Sequence, residues 1–238
     1  MLHPERSILP QELVLEKVSN MSIKIYQTNF NKVPISRLSE WKKIPTAVIG
    51  DCLNRQNVMS SRISPVSSGT MAGQAQTVSV VAGDNGAIHA AMKFIQETEI
   101  MVIDGGGYTE RALWGGILNT RAIKSNIAGI VIDGAVRDIE ELKEMGLPVY
   151  CVSRTPAGPH KGWGGIIGGN VSCGGVCVSP GDIIVGDSDG VVAIPLGQEQ
   201  DVFEASVKRM DFENELIRKI KCGEDLSGVF EHPKIEKF

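Results

Sequence analysis

Apolar positions change their period several times along the chain, and each change predicts an element. After Pro45, residues Val48, Ile49, Cys52 and Leu53 fall on one face at helical spacing, with Thr46 as the expected N-cap. Gly73 to Ala82 (GQAQTVSVVA) alternates and is rich in β-branched residues, the pattern of a strand. The turn Gly83-Asp84-Asn85-Gly86 feeds Ala87 to Thr98, where Ile88, Ala91, Met92 and Ile95 share a helical face. Ile100 to Ile103 is short and wholly apolar, as in strands buried on both faces, and the triple glycine at 105–107 is expected to end it. Arg111 to Lys124 reads as a helix with a break at Gly115-Gly116. Ile127 to Ile132 is a second buried strand. Asp138 to Met145 is a helix closed by Gly146, and Val149 to Val152 is a third strand.

This strand–helix alternation predicts an α/β fold with a partly parallel sheet and flanking helices. From Arg154 onward, glycine and proline turns separate short alternating segments: Gly174 to Val178, Asp182 to Val185, and Gly190 to Pro195. That region is expected to be β-rich. Asp201 to Cys222 then reads as a long amphipathic helix. At the other end, Pro4, Pro10 and Pro34 punctuate an arm with one short helix over Gln11 to Val18, of the kind that packs on a neighbouring subunit. The expected organisation is an arm over 1–40, a core over 41–198, and a helix and tail over 199–238.

Composition narrows the setting. A chain of 238 residues, 42% apolar and 22% charged, suits a soluble globular protein with a sizeable core. The net charge of −4, with no basic block, argues against nucleic-acid binding. No apolar run reaches the roughly 18 residues of a membrane span, and the N-terminus lacks a signal-type apolar core. A cytoplasmic protein with no membrane partner is expected. Five scattered cysteines give no disulfide framework, Cys173 and Cys177 lack a second metal-binding pair, and four dispersed histidines make no zinc motif.

Two stretches offer chemistry. Arg137 and Asp138 follow a buried strand, where ligands bind in α/β sheets. Arginine presents a planar fork to a carboxylate or 2-oxo acid, and an aspartate beside it can bind a hard cation while leaving water on the rest. Glu141 shares the helix face of Asp138. The structural alternative is that Asp138 caps the helix and Arg137 pairs with a surface carboxylate. In Gly115-Gly116-Ile117-Leu118, open backbone amides at a helix start suit a carboxylate; a tight helix–helix contact would also call for small residues there. Neither Lys124, at a polar helix end, nor Lys161, in a proline/glycine loop, has the desolvated setting of a Schiff-base lysine. His89 and the Asp84-Asn85 pair read as structural and turn residues.

Gly116, twenty residues, Arg137-Asp138, two residues and Glu141 resembles the G-x20-R-D-x2-E/D pattern of the RraA-like aldolases. This family includes the class II 4-hydroxy-4-methyl-2-oxoglutarate (HMG) and 4-carboxy-4-hydroxy-2-oxoadipate (CHA) aldolases and the regulator of ribonuclease activity A. The resemblance extends from about Thr46 to Pro195, through Gly83-Asp84-Asn85, Trp114-Gly115, Val131 to Asp138, and Pro180 to Val185 with Asp187 to Val192. It implies a β/β/α swivelling-type fold assembled as a homotrimer or homohexamer, with sites between subunits. Carried over by position, Asp138 would hold Mg2+ or Mn2+, Arg137 would bind the pyruvyl part of a 2-oxo-acid substrate, and the backbone from Gly115 to Leu118 would hold its carboxylate. Glu141 would position water, and Glu213 is the candidate for a carboxylate given by a neighbour's C-terminal helix. The implied activity is aldol cleavage of HMG or CHA to pyruvate and a second 2-oxo acid, with oxaloacetate decarboxylation through the same enolate. The family's other branch, regulation of ribonuclease by protein binding, is the alternative, and a lyase for a different 2-oxo acid is a third. The pyruvate aldolases proper often carry Asp where this chain has Gly116, so Glu141 stands as its apparent substitute.

Overall fold

The computed structural model describes residues 21–224, 233, 234 and 236. The helix expected over Gln11 to Val18 lies outside them. A nine-stranded mixed sheet dominates. Its spine is β3 (Met71–Val80), β4 (Ile100–Trp114), β5 (Gly129–Val136) and β6 (Val149–Arg154), all parallel neighbours in that order. The far edge of β3 is shared. Its first half pairs with β10 (Ile183–Gly186), which pairs in turn with β11 (Val191–Ile194). Its second half pairs with β7 (Gly165–Ile167), and β1 (Ile23–Ile25) closes that edge. A short β2 (Ser64–Pro65) lies on β6, and β8 (Val171–Cys173) and β9 (Val176–Val178) form a separate hairpin.

Strand parity sorts the side chains into layers. Met101, Ile103, Ile130 and Ile132 face a helical layer, and Ile100, Val102 and Val131 face the β8–β9 hairpin. This is why those strands are apolar at every position. The helical layer consists of α3 (Gly86–Ala91), α4 (Gly116–Lys124) and α5 (Ile139–Met145). A third apolar cluster joins α1 (Ile35–Trp41), α2 (Thr46–Cys52) and the first half of α6 (Glu199–Lys221) to β10 and β11. Among the described residues, no helix is long and apolar enough to cross a membrane.

The differences from expectation have local causes. Helix α3 ends at Ala91, well short of Thr98, which itself takes φ 65. Strand β4 does not stop at the triple glycine. Gly106 and Gly107 both adopt φ near +70 (67 and 69), and three register shifts against β5 carry the strand on to Trp114. Arg111 to Trp114 are therefore strand, and α4 starts at Gly116. Thr46 is the first helical residue of α2 and not its cap. Its amide and hydroxyl donate to the Asp187 carboxylate at 2.8 and 2.6 Å, so a side chain from a distant loop does the capping. Gly146, at φ 73, closes α5 as expected.

Candidate active site

The site forms where β4 and β5 end together. Trp114 and Val136 are register partners, and the Arg137 amide donates to the Trp114 carbonyl at 3.0 Å. The next residues on each strand, Gly115-Gly116 and Arg137-Asp138, emerge side by side. The spacing in the sequence follows from this: α4, a turn and β5 return the chain to the level it left.

Asp138 has φ 61 and ψ 43. That left-handed conformation costs a residue with a Cβ about 1 kcal/mol or more, and aspartate is among the types that adopt it. It occupies the N-cap position of α5 but makes no side-chain cap. Its Oδ2 instead accepts from the Gly116 amide at 3.0 Å and lies 3.5 Å from Arg137 Nε. Asp138 thus joins two elements across the strand ends, and the carboxylate beside Arg137 is its own neighbour. One residue, Leu142, anchors α5 by full burial, a contribution of about 1.5–3 kcal/mol. That anchor fixes Asp138 and Glu141 relative to the sheet.

The two glycines leave room for different side chains. A Cβ on Gly115 would lie 2.5 Å from Asp138 Oδ2. A Cβ on Gly116 would collide with the carboxylate of Glu141, which fills the volume that a side chain at 116 would take. The small-residue helix contact and the helix-start cradle are therefore one arrangement. By the geometry of a helix start, the Ile117 and Leu118 amides have no intrahelical acceptor, and Ile117 is exposed.

Gly115, Leu118 and Arg137 wall a cavity of ≈ 210 Å³ together with Asn85, His89 and Lys161. On the other side of Arg137, Asp138 shares a cleft of ≈ 360 Å³ with Arg154 and Thr155. The sequence reading gave Asn85 to a turn, yet its place is in the cavity wall. Asn85 Nδ2 donates to the Leu113 carbonyl at 3.0 Å, while its buried Oδ1 has no partner among the described residues. An orphan acceptor beside a cavity is the kind of group a bound molecule satisfies. Asp84, fully buried, explains how Lys161 arrives there. Its carboxylate accepts from the amides of Gly86, Gly162 and Trp163 at 2.7, 2.6 and 3.0 Å, pinning the loop that carries Lys161. Nothing in a Gly-Asp-Asn-Gly turn distinguishes these tasks before the loop is in place.

His89 lies 3.3 Å from Arg121 Nη1. Burial, and then the cations Lys161 and Arg121, hold its imidazole below the usual histidine range. An NMR titration is expected to give a midpoint below 6.5. A midpoint at or above that value would contradict the placement. The sign for stability follows: the His89 contribution is complete above the unfolded value near 6.5 and is lost as pH falls through the lower folded midpoint.

Glu213 sits elsewhere in the chain. It accepts from Arg209 Nε at 2.6 Å on α6, and Arg209 reaches Asp51 of α2 at 3.2 Å. Within one chain the structure brings together Gly115, Gly116, Arg137, Asp138 and Glu141, and leaves Glu213 with the α2–α6 pair. Lys124 is exposed at the end of α4.

The donor set suits a hard divalent cation. Asp138 is 39% exposed, makes no cap on its own helix, and has the Glu141 carboxylate on that helix. Mg2+ and Mn2+ accept one or two carboxylates and fill the remaining positions with water or substrate oxygen. Among the described residues no three His, Cys, Asp or Glu gather as an all-protein cage.

Comparison with known proteins agrees with this reading of the fold. A family profile described as RraA-like (Aldolase/RraA) matches residues 46–193. A Halalkalibacterium halodurans protein provisionally named 4-hydroxy-4-methyl-2-oxoglutarate aldolase is 38% identical over 180 residues, covering 75% of this chain and 86% of its own. Among solved structures, RraAS2 of Streptomyces coelicolor, described as an unusual member of the RNase ES inhibitor RraA family, aligns with a TM-score of 0.73 and 22% identity. That likeness covers 79% of this chain and 100% of RraAS2, and it is one of fold. The RNA-processing inhibitor RraA from Thermus thermophilus aligns with a TM-score of 0.59 and 29% identity, over 63% of this chain and 92% of its own.

Proposed function

Because the chain belongs to the RraA-like family, we propose that it is a carbon–carbon lyase cleaving a 4-hydroxy-2-oxo acid, HMG or CHA, to pyruvate and a second 2-oxo acid. Oxaloacetate would lose CO2 at the same site. The observation that carries this reading is the convergence of the Gly116 amide, Arg137, Asp138 and Glu141 at the paired ends of β4 and β5.

Each group has a task that its position allows. The Arg137 fork binds the 2-keto and carboxylate oxygens of the pyruvyl moiety and opposes the charge that grows as the bond breaks. The amides of Ile117 and Leu118, at the start of α4, hold the carboxylate. Glu141 positions the water that removes the distal hydroxyl proton. The C–C bond then cleaves, the hydroxyl carbon becomes the keto carbon of the second product, and the pyruvate enolate is protonated at its methylene carbon. A Mg2+ or Mn2+ ion held through Asp138 would supply Lewis-acid stabilisation of that enolate.

The assay is pyruvate release from HMG and from oxaloacetate, with Mg2+ or Mn2+ and with EDTA. Metal-dependent release from HMG supports the aldolase; release from neither substrate would overturn the lyase reading in favour of protein binding. Glu141→Gln is expected to lower turnover about a hundredfold, the usual scale for a lost acid–base group, while metal still binds by calorimetry. Loss of metal in that variant would instead make Glu141 a ligand.

We also infer a homotrimer or homohexamer in which Glu213 of one chain serves a neighbour's site. Its location on α6, away from its own Arg137 and Asp138, supports this. Sedimentation that returned a fully active monomer would remove Glu213 from the reaction.

A further inference from the structure

On the opposite edge of the sheet, the segment between β1 and α1 folds over β3 and encloses a cavity of ≈ 430 Å³, within the size range of small-molecule pockets. Most of its cover, from Ile25 to Lys32, lies outside the family-matched residues 46–193. Two glutamines on β3 face this segment two residues apart, and their fates differ. Gln74 is fully engaged: its Oε1 accepts from the Val33 amide at 2.9 Å, and its Nε2 donates to the carbonyls of Asn31 and Gly181 at 2.9 and 3.2 Å. Gln76, at 6% exposure, lines the cavity, and its amide has no hydrogen-bond partner among the described residues. The described residues engage neither its donor nor its acceptor, so both are open to a molecule that enters the cavity.

The remaining walls specify that partner. Tyr26 and Phe94, both large and exposed, and Phe30 supply aromatic surface. Among the described residues, the only charges lining it are Lys32 and Glu99, and they neutralise one another in an ion pair of 2.5 Å. An anionic 2-oxo acid would find no free cation here, whereas a neutral flat ring would find stacking surface. A glutamine amide presents an acceptor and a donor side by side, which matches the adjacent acceptor and donor on the edge of a nucleobase. We propose that this cavity binds a neutral planar heterocycle of the nucleobase class, recognised by Gln76 and stacked on the aromatic wall.

The test is calorimetric titration of the full-length protein with adenine and with uracil, using benzoate as a ring of similar size that lacks the paired edge and carries charge. Saturable binding of one base is expected, weakened at least tenfold in Gln76→Met and in Phe94→Ala, with benzoate inert. Gln76→Met replaces an unsatisfied amide by an apolar chain of similar length, so circular dichroism should show it folded; Phe94→Ala, at an exposed position, gives a second reading. Pyruvate release should be unchanged in both, which separates this cavity from the Arg137 site. Absence of binding by either base at millimolar concentration, or equal binding by wild type and both variants, would overturn the proposal.

Discussion

Asp138→Ala is expected to lower metal-dependent pyruvate release by about a thousandfold or more, and to abolish metal binding in calorimetry. A metal ion supplies several kcal/mol of stabilisation to developing charge, and each 1.36 kcal/mol is a factor of ten. The substitution also removes the Oδ2 that the Gly116 amide donates to, so the start of α4 loses its tie to α5. A second variant separates chemistry from backbone. Asparagine tolerates the left-handed conformation that Asp138 adopts and keeps an acceptor for Gly116. Asp138→Asn should therefore melt within a degree or two of the wild type while losing metal and activity together. Wild-type-like turnover in purified Asp138→Ala would refute the role assigned to this carboxylate.

Arg137→Ala is expected to raise the KM for HMG, and the inhibition constant for pyruvate, by about ten- to a hundredfold, the range set by losing a charge-assisted hydrogen bond of about 1.5–3 kcal/mol. Turnover should fall as well, because the guanidinium also opposes charge that appears only as the bond breaks. Arg137→Lys should recover little, since an ammonium cannot reproduce the two-pronged geometry. The measurement is steady-state kinetics with pyruvate as product inhibitor. Unchanged pyruvate inhibition in Arg137→Ala would place the substrate carboxylate elsewhere, with Arg154, in the adjoining cleft, the next residue to examine.

Much of this architecture was legible in the chain itself. The apolar runs at Ile100 to Ile103 and Ile127 to Ile132 announced strands buried on both faces, and both are spine strands of the sheet. Gly146 marked the end of α5. The grouping of Gly116, Arg137, Asp138 and Glu141 was legible through the resemblance to the RraA-like pattern, and the βαβ unit of β4, α4 and β5 places them together. What the sequence hid depends on partners far along the chain. The extension of β4 past Gly105 needs β5 beside it to make bulges preferable to a turn. The capping of α2 by Asp187 joins residues 141 positions apart. Asn85 and Lys161 meet at one cavity only because Asp84 clamps a loop some eighty residues away. Periodicity reports on a segment and its face, and is silent about contacts of that range.

The contact between Gly116 and Glu141 bears on how such a site can change over evolutionary time. The Glu141 carboxylate occupies the volume a side chain at 116 would enter, so a larger residue there would displace it toward solvent. An acidic group from either helix would reach the same place. The two positions are therefore coupled, and exchanging them together lets the carboxylate change its address in the chain while keeping its place in the site.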